Sequence, residues 1–553
     1  MIKSKVLFVA DFFFEQGITG GAEVCNKNLI DKLIKKNISI TKINSHQLTP
    51  SIIKQHSDCF YIIANFMNLS EISKKQLKNV SYIIYEHDHK YVDTNNPAKF
   101  VNMLAPPENI INYNFYKNAK AVLCQTRFHS QIVQKNLLLD NIVNLSGNIW
   151  SDEQVLMLKE RLNNKKTKEN IVLMSNNKNK GTNFTLKYCL DKKINFEKIN
   201  SCGYPEFLDV LSVSNNLIFF PQWVETFNRV CVEARILNCN ITTNSLVGVT
   251  YEEWFKKNKG AALLETVINR SNFVIECFLD MIVNNNYSKY FQSSLKDKIP
   301  KISIITSLYK GERYIEWFLE EITKQTVFEK CELIILDANS PENEHEIIKK
   351  YTKKYKNILY KRLEKRYTVQ ETMNIGINMS SGEYLTLANV DDTRQYNAYE
   401  ILAKNLLVDE NVSLVYSDCL QTSKEKETVK DNSSNNTLYE HSRYSFSKQN
   451  MIKCLPGPMP MWRKSAHDSV GYFNEDLQFA GDWEMWLRFV EKGLSFKKVY
   501  NTVGLYYFNH DGLSTSIKNS QKRFLEEKQI FNNFKHVFGK EVYQQFKRYF
   551  NGE

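Results

Sequence analysis

The residues best suited to chemistry are carboxylates standing where apolar runs stop. Glu383-Tyr-Leu-Thr-Leu-Ala388 runs directly into Asn389-Val390-Asp391-Asp392. In an open α/β sheet the strand ends face the ligand crevice. Two adjacent carboxylates there suit a hard divalent cation, which takes oxygen ligands and completes its shell with substrate phosphates. They equally suit a turn whose Asp side chains cap the next helix, and this segment alone leaves both open. A second set lies earlier in the chain. Thr19-Gly-Gly-Ala-Glu23 follows an apolar run and opens a helix. Glycines there permit close backbone approach, and a helix N-terminus favours an anion. Glu225 and Glu233 are about two helical turns apart, with Glu225 expected in the loop before the helix.

These residues need a scaffold, and the chain supplies a repeating one. Lys5–Ala10, Cys59–Ala64, Ser81–Tyr85 and Ala121–Cys124 read as short buried strands, with a helix over 22–35. Asn170–Met174 starts a second series, continued by Leu217–Phe220 and Asn240–Thr243. Such alternation predicts parallel sheets with helices on both faces, in two lobes. Residues 271–299 are less regular, with a helix over 273–283, and a boundary is placed near Pro300. The pattern then restarts with strands at 301–306, 332–337, 383–388 and 413–416. The polar stretch 423–442 reads as a mobile surface loop. Phe524, Leu525, Phe531, Phe534, Val537 and Phe538 recur at helical spacing, which predicts a tail helix docked on the last domain.

Composition narrows the class. The chain has 553 residues, which predicts three or four domains. Hydrophobic residues at 42% and charged residues at 24% describe an ordinary globular chain, not a disordered one. No run approaches the roughly 18 apolar residues of a membrane span. The apolar start, Val6–Ala10, meets Asp11 too soon for a signal peptide and lacks a small-residue cleavage site. A cytoplasmic location is expected, at most at the inner face of the membrane. The 11 cysteines form no Cys-x-x-Cys pair and read as buried free thiols. The net charge of +12 could serve nucleic acid, anionic lipid or phosphorylated substrates. No basic, aromatic-interleaved motif supports nucleic acid, which is not expected as a partner.

Around the Asp pair the segments form an ordered set. Ser303-Ile-Ile-Thr-Ser-Leu-Tyr-Lys-Gly-Glu-Arg-Tyr314, Asp337-Ala-Asn-Ser340, Leu455-Pro-Gly-Pro-Met-Pro-Met-Trp-Arg463, Gly471-Tyr-Phe-Asn-Glu475 and Gly481-Asp-Trp-Glu-Met-Trp-Leu-Arg488 follow one another. From Lys301 to about Ser516 the chain resembles the family 2 glycosyltransferases of GT-A fold. The resemblance implies a metal-dependent, inverting transferase acting on nucleotide-sugar donors. It implies that Asp392, with Asp391 through the ribose or the metal, holds Mn²⁺ or Mg²⁺. Asp337 would contact the base, and Thr306, Ser307, Tyr309 and Glu312 would line the nucleotide pocket. Asp482 would be the general base. His510 stands where some relatives place a metal-associated His, and reads equally as a loop histidine bonded to backbone. Trp483 and Trp486 offer faces for a sugar, Trp486 fitting a core better. Gly481 stands where an acidic residue is common, and Asn389-Val-Asp-Asp392 departs from the commoner Asp-x-Asp.

The first half is similar to family 4 glycosyltransferases of GT-B fold, through Phe220-Pro-Gln-Trp-Val-Glu-Thr-Phe-Asn-Arg-Val-Cys-Val-Glu-Ala234. Gly20-Gly21, Glu86-His87-Asp88-His89 and Asn179-Lys-Gly181 fall in matching order. The resemblance implies that Glu233 holds a ribose, Glu225 the transferred sugar, Lys180 the diphosphate and His87 the reacting sugar, with no metal. Met174-Ser-Asn-Asn177 stands where that family has Gly-Arg, so one phosphate-binding Arg is missing. The expectation is therefore a GT-B-like double Rossmann module over 1–160 and 161–295, a GT-A module over 300–516 and a helical tail over 517–553. Two sugars would be added to one surface glycan, the acceptor being a glycan or lipid-linked glycan, with peripheral membrane contact left open. The alternative keeps only the C-terminal activity, the first module serving as scaffold or glycan-binding platform.

Overall fold

A computed structural model of the chain describes residues 5–17, 20–200 and 202–551. Thr19 of the glycine motif lies outside them. The chain divides into two compact units, residues 1–294 and 295–553.

The first unit holds two parallel sheets. One has strands β1 (Lys5–Ala10), β2 (Ser39–Asn44), β3 (Phe60–Ile63), β4 (Tyr82–Glu86), β5 (Val122–Cys124) and β6 (Ile142–Asn144), in the order β2-β1-β3-β4-β5-β6. The other has β7 (Lys168–Leu173), β8 (Glu197–Ile199), β9 (Ser214–Phe219) and β10 (Asn240–Thr243), in the order β10-β9-β7-β8. Strands buried on both faces are apolar throughout, which is why β1, β3 and β4 are conspicuous in sequence. Val6 and Phe8 enter one core of the first sheet, Leu7 and Val9 the other. The chain changes sheets between Ile149, in the first core, and Trp150, in the second, rather than at residue 160. The helix expected over 273–283 is the C-terminal part of one longer helix, Gly260–Asn284. Its Leu263, Leu264 and Val267 pack on the second sheet, and its Val274, Phe278 and Met281 on the first. Apolar residues spaced along 25 residues thus tie both sheets together.

The second unit is one eight-stranded mixed sheet. Its strands are β11 (Ile302–Leu308), β12 (Cys331–Asp337), β13 (Ile358–Arg362), β14 (Tyr384–Leu387), β15 (Thr393–Arg394), β16 (Val412–Thr422), β17 (Met461–Arg463) and β18 (Ser495–Tyr507). The order is β13-β12-β11-β14-β17-β16-β18-β15. β11, β12, β13 and β14 run parallel, and β17 is antiparallel to both neighbours. The helix Glu312–Ile322 covers one face with Ile315, Phe318 and Leu319. The helices Val369–Met379 and Gly481–Glu491 cover the other. The tail is three helices rather than one: Ser520–Asn533, Lys535–Phe538 and Lys540–Asn551. The break falls at Phe534 and at Gly539, whose φ of +85° suits glycine. The tail docks on this unit, burying Phe531, Phe534, Val537 and Phe538, whereas Leu525 is exposed. No helix among the described residues is long and apolar enough to cross a membrane. Residues 423–442 form no regular element, but Gln421 N–H donates to Thr437 O and Tyr439 N–H to Cys419 O.

Candidate functional site

Adjacent strands β12, β11 and β14 bring the predicted donor residues of the second unit to one edge. The register pairs Leu308 with Asp337 and Ile305 with Leu387. Asp337 is fully buried; its Oδ1 accepts from Ser340 N–H at 2.7 Å and its Oδ2 from the Tyr360 hydroxyl at 2.7 Å. Arg362 lies 3.4 Å from the same oxygen. Thr306 is buried, and its hydroxyl has no partner among the described residues. Ser307 and Tyr309 are half-buried, with the Arg366 guanidinium 4.3 Å from the Tyr309 ring centre. The turns after β11 and β12 are bonded together, Lys310 N–H to Ser340 Oγ and Gly311 N–H to Glu344 Oε1. Glu312 differs from expectation. It is exposed in the first turn of its helix and accepts from Asn343 N–H at 3.3 Å, so it braces the turn.

Asp391 and Asp392 follow β14. Asp392 is buried, accepting from Asn389 Nδ2 and from Tyr507 N–H, both at 3.1 Å. Asp391 accepts from the Asn509 side chain. Burial first, then the Asp391 charge, pushes Asp392 up to about 7. Asp391 is raised as well, by burial. Neither makes a direct ion pair among the described residues: neutral donors hold both, and the Arg394 guanidinium offsets only part of the burial and like-charge cost. Such a pair of hard oxygen ligands fits a divalent cation. His510 does not join it: the ring is exposed and packs on Phe508 at 5.0 Å. No group of three or more His, Cys, Asp and Glu suited to a metal occurs among the described residues. Asn509, its neighbour, is the residue that reaches the pair, and nothing in its sequence context marked it.

Asp482 stands in the first turn of the helix Gly481–Glu491, half-buried. Its Oδ1 accepts from Trp483 N–H at 2.8 Å and its Oδ2 from the Cys454 thiol at 3.4 Å. Burial raises its pKa. Glu484 turns elsewhere, into a two-bond pair with Arg488 at 2.8 and 2.9 Å. Gly481 has a packing reason: a Cβ there would stand 2.7 Å from the amide of buried Gln370. Trp483 is no sugar platform. Like Trp486 it is buried, and its Nε1 donates to Met451 O at 2.7 Å.

The first unit's candidates have partners of their own. Gly20 and Gly21 open the helix Gly21–Lys35, but the Glu23 carboxylate folds back on its own N–H, occupying the end expected to receive an anion. His87 is buried; Gln125 Nε2 donates to its Nδ1 at 2.9 Å, and its Nε2 donates to Asn26 Oδ1 at 2.8 Å. Burial lowers its pKa to about 3, so the ring is neutral. The Thr226 hydroxyl donates to His87 O at 2.6 Å. Lys180 pairs with Glu225 at 2.7 Å, and Asn228 donates to the other Glu225 oxygen at 3.2 Å. Glu233 is buried, accepting from Trp150 Nε1 at 3.1 Å and the Tyr204 hydroxyl at 3.0 Å, with Arg229 at 3.5 Å. The Arg229 guanidinium lies 4.3 Å from the Trp150 ring centre.

Comparison with known proteins bears on the second unit. The profile of glycosyl transferase family 2 matches residues 303–471. The second unit carries a family 2 glycosyltransferase domain. That match includes Asp337 and the Asp391–Asp392 pair, and stops short of Asp482 and His510. The domain is that of a nucleotide-sugar-dependent glycosyltransferase. An uncharacterized glycosyltransferase of Methanocaldococcus jannaschii is 22% identical over 221 residues, 40% of this chain and 75% of that protein. The uncharacterized glycosyltransferase YwdF of Bacillus subtilis is 26% identical over 234 residues, 41% and 82% of the two chains. The solved mannosyltransferase PcManGT from Pyrobaculum calidifontis, in complex with GDP-Man and Mn²⁺, is 16% identical with a TM-score of 0.32. That match covers 42% of this chain and 64% of that one.

Proposed function

We propose that the second unit transfers a sugar from a nucleotide-sugar to a hydroxyl of a glycan or lipid-linked glycan, in the synthesis of a surface polysaccharide or glycoconjugate. The observation that carries this reading is the Asp391–Asp392 pair, hydrogen-bonded by neutral donors and without a direct ion pair among the described residues, in the unit that also buries Asp337 and Thr306. Asp391 and Asp392 would hold Mn²⁺ or Mg²⁺, which when bound neutralises charge on the departing diphosphate. Asp337 and Ser340 shape the base pocket, and Tyr309 beneath Arg366 supplies a flat, cationic wall. Asp482 takes the proton of the acceptor hydroxyl as that oxygen bonds to the anomeric carbon. The bond from that carbon to the diphosphate breaks on the opposite face, inverting the centre. A base must be ionised, and burial that raises its pKa toward neutrality strengthens it for this task. The Cys454 thiol donates to one carboxylate oxygen and Trp483 N–H to the other.

The first unit we read as a GT-B-like platform without catalysis of its own, because His87, Glu225 and Glu233 each have partners inside the protein. One observation favours a second, metal-independent transferase there: the Lys180–Glu225 pair is half-exposed and could open to a diphosphate. Nucleotide-sugar hydrolysis by the full chain tests both readings. Activity lost in Asp392→Asn and in chelator supports the first; activity that survives both and falls in Glu225→Gln supports the second.

A further inference from the structure

The tail reaches back to the helix that carries Asp482. Glu526, on the helix Ser520–Asn533, accepts from three consecutive backbone N–H groups. Its Oε2 takes Gln478 N–H at 2.8 Å; its Oε1 takes Phe479 N–H at 2.8 Å and Ala480 N–H at 2.6 Å. These donors end two residues before Asp482, where the chain turns into its helix. Unmet N–H groups at such a helix entry are costly, and an N-terminal carboxylate also complements the helix dipole. The residue after Asp482 is held by the tail too. Trp483 stacks on Phe538 with ring centres 6.3 Å apart, while its Nε1 is bonded to Met451 O. Phe538 is anchored in turn on Phe531, which also stacks on Tyr543 and Phe550.

We propose that Glu526 is a positioning residue for sugar transfer, fixing the 478–480 backbone and through it the carboxylate of Asp482. The inference rests on Asp482 being the base. It makes the tail, which lies outside the segment matched to family 2, a working part of the active site. Positioning at this scale matters, because a misplacement of about 1 Å can cost roughly 10²-fold in rate.

The groups facing Asp482 give the proposal a readout that a purely structural role would not move. Glu526 and Glu527 face it from the tail, Glu527 beside Arg523. Tyr439 and Cys454 face it from the preceding loops. Glu484, on the same helix, is turned to Arg488. Removing the Glu526 charge eases ionisation of Asp482, so the acidic limb of the rate profile must move to lower pH.

The test compares Glu526→Ala, Glu526→Gln and Asp482→Asn in the full chain, measuring kcat, donor affinity and the pH profile with a nucleotide-sugar the wild type turns over. Glu526→Ala should lower kcat about tenfold or more with donor affinity unchanged. Glu526→Gln keeps a carbonyl oxygen for Phe479 and Ala480, so it should retain more of kcat and still show the shifted acidic limb. If Glu526→Ala does not fold, Glu526→Gln carries the test alone. Wild-type kcat and an unmoved limb in Glu526→Gln, with Asp482→Asn inactive, overturn the role of Glu526 and leave Asp482 standing. An active Asp482→Asn overturns the base itself, and this inference with it.

Discussion

Both units place carboxylates after a strand, Glu225 after β9 and Asp391 and Asp392 after β14, and on a helix, Glu233 and Asp482, and then bond them differently. In the first, Glu225 has Lys180 and Asn228, and Glu233 has Arg229, Trp150 and Tyr204. In the second, Asp391, Asp392 and Asp482 are bonded by an amide, a backbone N–H or a thiol and make no direct ion pair among the described residues, with Arg394 near the first two. Buried charges without partners are expensive, and a protein that retains them gains elsewhere, most often at a functional site. Internally paired carboxylates stabilise a fold without needing a ligand. The Asp391–Asp392 pair lies inside the segment matched to the family.

The contrast can be broken most forcefully at Asp482. Asp482→Asn keeps size and one acceptor but cannot take a proton, so transfer should fall roughly 10²-fold or more while donor binding persists. Near-normal transfer, measured in single-turnover assays, would remove Asp482 from the reaction. The next test uses stability against pH. Asp392 is raised from an ordinary carboxylate value to about 7, so the folded protein binds more protons than the unfolded one between these limits. Without metal, stability should therefore fall as pH rises through this window, and Asp392→Asn should abolish that fall and raise the melting temperature at pH 8. A flat profile in wild type would show the pair is not strained. Glu484→Gln is a smaller perturbation: it weakens a partly exposed pair, costing about 1–3 kcal/mol by denaturant titration, while the folded enzyme keeps transfer within a few-fold. Smallest of all, Lys180→Met should change stability by no more than about 1 kcal/mol, since its pair is half-exposed, and leave transfer by the second unit unchanged. A large loss of transfer there would break the contrast from the other side.

Much of the scaffold was legible because strands buried on both faces are written in unbroken apolar residues. β18 was not, since Ser495–Tyr507 carries Lys497 and Lys498 in mid-strand; Lys498 is buried on Asp418 at 2.8 Å, a pairing no local pattern reveals. The long helix Gly260–Asn284 was seen only in part, because its one apolar stripe serves two cores in succession, which no local pattern reveals. In the site, Asp391-Asp392 announced itself by type and place. Asn509 and Glu526 did not, because their partners lie more than a hundred residues away in one case and 46 to 48 in the other. His87 was readable as a histidine at a strand end, but its two ring nitrogens are engaged by Asn26 and Gln125, which only the fold brings to it.

The contrast between the units is tested most directly by nucleotide-sugar turnover in the full chain, with Mn²⁺ and with excess chelator. Wild type, Asp392→Asn and the Glu225→Gln/Glu233→Gln double variant are compared side by side. Turnover should require the cation, be lost in Asp392→Asn and stay within about twofold of wild type in the double variant. Turnover that persists in chelator and in Asp392→Asn, and disappears in the double variant, would place the chemistry in the first unit and contradict the account.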